Sequence, residues 1–152
     1  MKQKLNPLPV DLADLCIALE SEASGYRWYF DLETGETILL NGEYDPEEHN
    51  GITSDDIKGR PQRFRRVPTE TTAQALADMK GFADSLDDGR LKESLMLALA
   101  APRPERRFRA VLGWLPDELG RWHRFRHALL SERAMRWLAG LGVQAVPPEN
   151  PA

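Results

Sequence analysis

Between Arg121 and His127 the chain reads Arg-Trp-His-Arg-Phe-Arg-His, its densest run of side chains able to do chemistry. Arginines interleaved with aromatics suit an anionic ligand, through phosphate pairing and base stacking or through contact with an acidic protein surface. The same spacing has a structural reading. On a helix Trp122, Phe125 and Leu129 share one face at i, i+3 and i+7, which makes the aromatics core residues and leaves the arginines at the rim. His123 and His127 stand at i, i+4, the spacing of two metal ligands, but Arg124 occupies the place where a zinc protease has its glutamate. Cations flank both rings, so no metal is expected. A second basic run, Glu105 to Arg109, adds Arg106, Arg107 and Arg109. The candidate binding residues are therefore Arg106, Arg107, Arg109, Arg121, Arg124, Arg126 and Trp122.

Elsewhere the sequence offers little reactivity. The acidic stretch 43–56 lacks the D-x-D-x-D-G order and closing glutamate of a calcium loop, and reads as a solvated loop, or else as a mimic of nucleic-acid phosphate or a docking strip for a basic partner. Cys16 is the single cysteine; it has no disulfide partner, and among Leu15, Ile17 and Leu19 it reads as a small buried hydrophobe. Asp31, Glu33 and Glu36 flank a turn and are explained by turn chemistry. Phosphate loops, dinucleotide fingerprints and nucleophile elbows are all missing, so neither a catalytic residue nor a cofactor is assigned.

Charge is unevenly distributed. Residues 11–60 hold 13 acidic side chains against three basic ones, whereas residues 103–138 hold nine arginines, no lysine and four acids. The whole chain carries −4. That acidity weighs against a dedicated nucleic-acid binder, whose domain is usually basic. The two halves either pair within the fold or present a charged face to a partner.

These residues need a scaffold, and 152 residues suffice for one domain with a real core. With 41% hydrophobic and 29% charged residues, the composition is that of a globular chain, not a disordered one. No apolar run nears the ~20 residues of a membrane span, and the lysines of residues 1–5 precede no apolar core, so no signal peptide is expected. Residues 10–19 read as a helix capped by Asp11, stopped by the Ser/Gly-containing stretch 21–25. In residues 26–40 the aromatics Tyr26, Trp28, Tyr29 and Phe30 suit a strand, Glu33-Thr34-Gly35 a turn, and Thr37 to Leu40 a second apolar run, predicting a β-hairpin. A long acidic loop follows over 41–61, with a short helix from Pro46, and then a third strand over 62–67.

The remainder is helical. Thr71 and Gln74 form a capping box, Asp87-Asp88-Gly89 breaks the first helix, and further helices follow to Pro102, after Pro104 and from Pro116. Leu119, Trp122, Phe125, Leu129, Trp137 and Leu138 would line the buried side of the last helix, which ends at Gly140 and Gly142. The expected fold is α+β: a small antiparallel sheet of about three strands packed against several helices, with a mainly helical C-terminal half. The expected organisation is an N-terminal arm (1–9), a single domain (10–146) and a disordered tail (147–152).

Several segments, in this order, match a known pattern: D-L-x-x-L at Asp11 to Leu15, F-D-L-E-T-G-E at Phe30 to Glu36, R-F-x-x-V-P at Arg63 to Pro68 and M-x-x-F at Met79 to Phe82. E-R-R-F-R at Glu105 to Arg109, W-x-x-F-R at Trp122 to Arg126 and R-W-L at Arg136 to Leu138 complete it. Over about residues 10–140 the chain resembles uncharacterised protein family 0158, a bacterial family. It departs from the family pattern at Pro102-Arg103-Pro104. The resemblance implies a shared fold and carries over no catalytic residue.

The expectation for function is a non-enzymatic protein-binding or regulatory module of the cytoplasm, using the acidic loop or the arginine-rich helices. Nucleic-acid binding through those helices is the competing class, and an enzyme whose residues converge only in three dimensions is the third. A protein partner, no membrane, and a monomer or weak homodimer complete the expectation.

Overall fold

A computed structural model describes residues 4–20 and 26–148. The predicted stop at 21–25 and the last four residues of the predicted tail lie outside the described residues. The elements in chain order are β1 (Asn6–Pro9), α1 (Leu12–Glu20), β2 (Arg27–Asp31), β3 (Thr37–Leu40), α2 (Ser54–Gly59) and β4 (Phe64–Arg66). They continue with α3 (Thr72–Asp84), α4 (Gly89–Leu99), α5 (Pro104–Gly113), α6 (Pro116–Gly140) and β5 (Val143–Val146). The fold is α+β, with an antiparallel sheet ordered β3-β2-β4 and a separate parallel pair β1-β5. None of the described helices is long and apolar enough to cross a membrane. The described residues divide into two compact units, one from those within 4–69 and 130–148 and one from 70–129.

In the first unit the three-stranded sheet is packed on both faces. Strand periodicity sends Trp28 and Phe30 to one side, where they meet a cluster of Leu15 and Cys16 from α1, Val67 just past β4, and Leu130, Ala134 and Leu138 from α6. The Phe30 and Trp137 rings meet edge to face at 5.9 Å. Tyr29, Ile38, Leu40 and Phe64 point the other way and are covered by Tyr44, Ile52 and Ile57. The segment read as a long acidic loop is therefore a folded cover. It holds the expected short helix as one 3-10 turn (Pro46–His49), and also α2, which sequence reading missed. Thr53 and Asp56 cap α2 reciprocally, and Ile57 is its one buried residue, too faint a signal for periodicity to detect.

Residues 6–9, read as part of an arm, are a strand. Asn6 and Val10 donate backbone hydrogen bonds to the carbonyls of Gly142 and Val146, so the alternating prolines 7 and 9 fall on the side away from β5, where no N–H is needed. On that side the Gly35 turn approaches so closely that a Cβ there would sit 1.8 Å from the Pro9 carbonyl oxygen. Gly35 also has φ +80°, a conformation that favours glycine.

The second unit is a helical cluster. Thr71 and Gln74 form the expected capping box of α3, and Asp88 caps α4 through two backbone N–H groups. Met79 and Phe82 of α3, Leu86 just after it, Leu91 and Leu95 of α4, Phe108 and Leu112 of α5 and Trp122 of α6 form one core. In the last helix Leu130, rather than Leu129, is fully buried, since Leu130, Ala134 and Leu138 keep the i, i+4 spacing that faces the core of the first unit.

Candidate functional site

The seven candidate residues separate sharply by environment. Trp122 is 5% exposed and sits in an aromatic cluster, edge to face with Phe108 at 5.0 Å and with Phe82 at 5.5 Å. Arg126 is an internal ion-pair residue: its guanidinium reaches both Asp78 and Glu70, and all three side chains are nearly buried. A buried arginine held by two carboxylates fixes α6 against the α3 region and is not available to a ligand. Arg121 pairs with Glu118 one turn earlier at 3.1 Å. Arg107 turns back to donate from Nε to the Pro102 carbonyl at 2.8 Å.

Arg106, Arg109 and Arg124 remain exposed, and none has a carboxylate partner among the described residues. Phe108 and Leu112 bury one side of α5. On the opposite side Arg106, Arg109, Ala110 and Gly113 recur at i, i+3, i+4 and i+7, all exposed. Trp114, the next residue, is 87% exposed. Sequence reading did not single it out. Its signal was position: it is the first residue past the helix, one step off the Phe108 and Leu112 stripe. Arg103 opens α5 with φ +55° and no side-chain cap, between Pro102 and Pro104.

His123 and His127 are both exposed on α6, and the described residues contain no group of three His, Cys, Asp or Glu placed to hold a metal ion. Cys16 is buried, as expected of a small hydrophobe, with its sulfur 3.8 Å from the Ser131 hydroxyl. Burial pushes its thiol pKa up, the Ser131 contact offsets part of that, and Glu20 adds to it, leaving a protonated and unreactive group. A recess of about 560 Å³ lies beside the ends of β1 and β5; Asp11 is its one ionisable lining residue, and that carboxylate already caps α1.

A second polar centre lies at the hairpin turn. Asp31 is fully buried and accepts from Arg63 at two points, Nε to Oδ1 and Nη2 to Oδ2, both 3.0 Å. Its Oδ1 also accepts the Glu33 N–H at 2.9 Å. Burial alone would raise the Asp31 pKa; the hydrogen bonds from Arg63, Glu33 and Thr34 outweigh it and hold the carboxyl below its ordinary value of 3.8. Nearby, Glu36 Oε1 lies 2.5 Å from His49 Nδ1, and the His49 ring stacks on Tyr44 at 5.1 Å. Burial first, then the Glu36, Asp56 and Asp45 carboxylates, push the Tyr44 hydroxyl pKa up, so it stays a donor to the Ile52 carbonyl at 2.7 Å. This centre anchors the cover segment to the sheet. It joins the segments Phe30 to Glu36 and Arg63 to Pro68, two of those that carried the family resemblance.

The model of the uncharacterised protein family UPF0158 matches residues 5–150. The chain belongs to UPF0158. A UPF0158 protein of Pseudomonas aeruginosa is 25% identical over 147 residues, covering 97% of this chain and 92% of that protein. No solved structure matches the chain.

Proposed function

We propose that this UPF0158 protein is a non-enzymatic binding module that recognises an acidic protein surface through the solvent face of α5. One observation carries the reading: Trp114, 87% exposed, follows a helix face whose arginines 106 and 109 have no carboxylate partner among the described residues. Tryptophan and arginine are the residues most enriched where binding energy concentrates, because a large rigid ring and a planar fork gain most from being covered. Arg124 of α6 adds a further exposed cation. A cytoplasmic location accompanies this reading, supported by the lone, buried Cys16.

The test is capture of partners from native lysate after nuclease treatment, comparing the wild type with R106E/R109E. Arg126 is kept out of the variant because it is structural. Loss of the wild-type partners, with an unchanged circular dichroism spectrum, supports the reading; recovery of the same partners by the variant overturns it.

Trp114 also favours a second reading, in which single-stranded nucleic acid stacks on the ring while the arginines take phosphates. The chain's net charge of −4 opposes it. It requires quenching of tryptophan fluorescence by oligonucleotides, relieved steeply by salt. Unchanged fluorescence at low salt ends that reading.

A further inference from the structure

The partner's chemistry is written elsewhere on the same chain. The cover segment between β3 and β4 presents Glu43, Glu47 and Glu48, all exposed and none with a cationic partner among the described residues. Of its other carboxylates, Asp45 caps the 3-10 turn and Asp56 closes the capping box of α2, while Asp55 is exposed as well; Glu36, just before β3, holds His49. The three glutamates flank Pro46 and the stacked Tyr44 and His49 in sequence, and both rings are part-exposed.

We infer that the α5 face docks on the acidic cover segment of a second copy of this chain, so that copies associate head to tail. The inference rests on the protein-binding reading above. Charge complementarity carries it: two arginines and an exposed Trp114 on one surface, three exposed glutamates on the other, none of the five charges with an ionic partner among the described residues. Every copy brings both halves at equal concentration. Two copies at −4 each also repel far less than this chain and a polyanion would. The contact is heterologous, so it propagates or closes into a ring, and being small and charged it is weak and sensitive to salt.

Light scattering across a concentration series reads this directly. At about 0.02 M salt the mean mass rises above the 17.2 kDa monomer with concentration, and at about 0.5 M salt, where charges are screened within a few ångström, it returns to the monomer. The variants R106E/R109E and E43K/E47K/E48K each stay monomeric at low salt. Mixed together they associate again, because each supplies the charge that the other lost. W114A weakens association about tenfold or more. A wild type that stays monomeric at millimolar concentration in low salt overturns the inference, and that measurement depends on no variant. So does either charge variant associating alone as the wild type does, or a folded mixture that remains monomeric. A monomeric wild type that still captures another protein through Arg106 and Arg109 overturns the second-copy inference alone; partners indifferent to those arginines overturn the binding reading itself.

Discussion

Asp31 and Arg63, 32 residues apart in the chain, face each other through two parallel hydrogen bonds of 3.0 Å, with the Asp31 side chain fully buried and the Arg63 side chain 22% exposed. The Arg63 guanidinium also lies 4.8 Å from the centre of the Phe64 ring and 3.2 Å from Glu33. Removing either partner strands the other. Asp31→Ala should cost about 3 kcal/mol, because Arg63 loses its buried partner and the Glu33 N–H loses its acceptor. Urea denaturation checks this; a loss under 1 kcal/mol would mean the pair is dispensable.

The same carboxyl predicts an acid response. Its folded pKa is depressed below 3.8, so the unfolded chain takes up a proton first. The stability it contributes is present above the unfolded value and is lost as pH falls through the folded one. The urea midpoint should drop below about pH 4, and Asp31→Asn should flatten that part of the profile. Equal acid slopes in wild type and variant would assign the response to other groups.

Gly35 and Gly51 allow two costs to be separated. Both have positive φ, +80° and +78°, but only Gly35 has backbone where a side chain would go. Gly51→Ala should lose about 1 kcal/mol, the cost of conformation alone. Gly35→Ala should lose clearly more, since the Pro9 carbonyl must move. Similar melting temperatures for the two variants would show that the hairpin and β1 shift apart easily.

Arg124 and Arg126 provide the sharpest contrast on α6. Arg124→Ala should fall within about 0.5 kcal/mol of wild type, as exposed substitutions do. Arg126→Ala leaves Asp78 and Glu70 without the cation that joins them and should cost about 3–5 kcal/mol. Comparable stabilities for the pair would contradict the burial assigned to Arg126.

That contrast shows how far the sequence could be read. Arg124 and Arg126 are identical in type and two positions apart, yet Arg126 pairs with Glu70 and with Asp78 of α3 while Arg124 has no carboxylate partner among the described residues, a difference no local pattern encodes. Helix ends were legible because their signals are local: Thr71 with Gln74, Asp88 before Gly89, Pro104 and Pro116. The hairpin was legible for the same reason. The β1–β5 pair was not, since two of the four residues in Asn6–Pro9 are prolines and their partner lies near the other end of the sequence. Trp114 escaped notice because exposure, unlike burial, leaves no periodicity.

The β1–β5 pairing also orders events in time. The first unit takes residues from both ends of the sequence, while residues 70–129 form the second unit without interruption. During synthesis the helical unit can complete its core soon after it leaves the ribosome. The sheet-bearing unit waits for α6 and β5, its sheet without Leu130, Ala134 and Leu138 until then. Closing so long a loop makes that step the slow one. Nascent chains are therefore most exposed to aggregation over the aromatic strand β2, in the interval before β5 emerges.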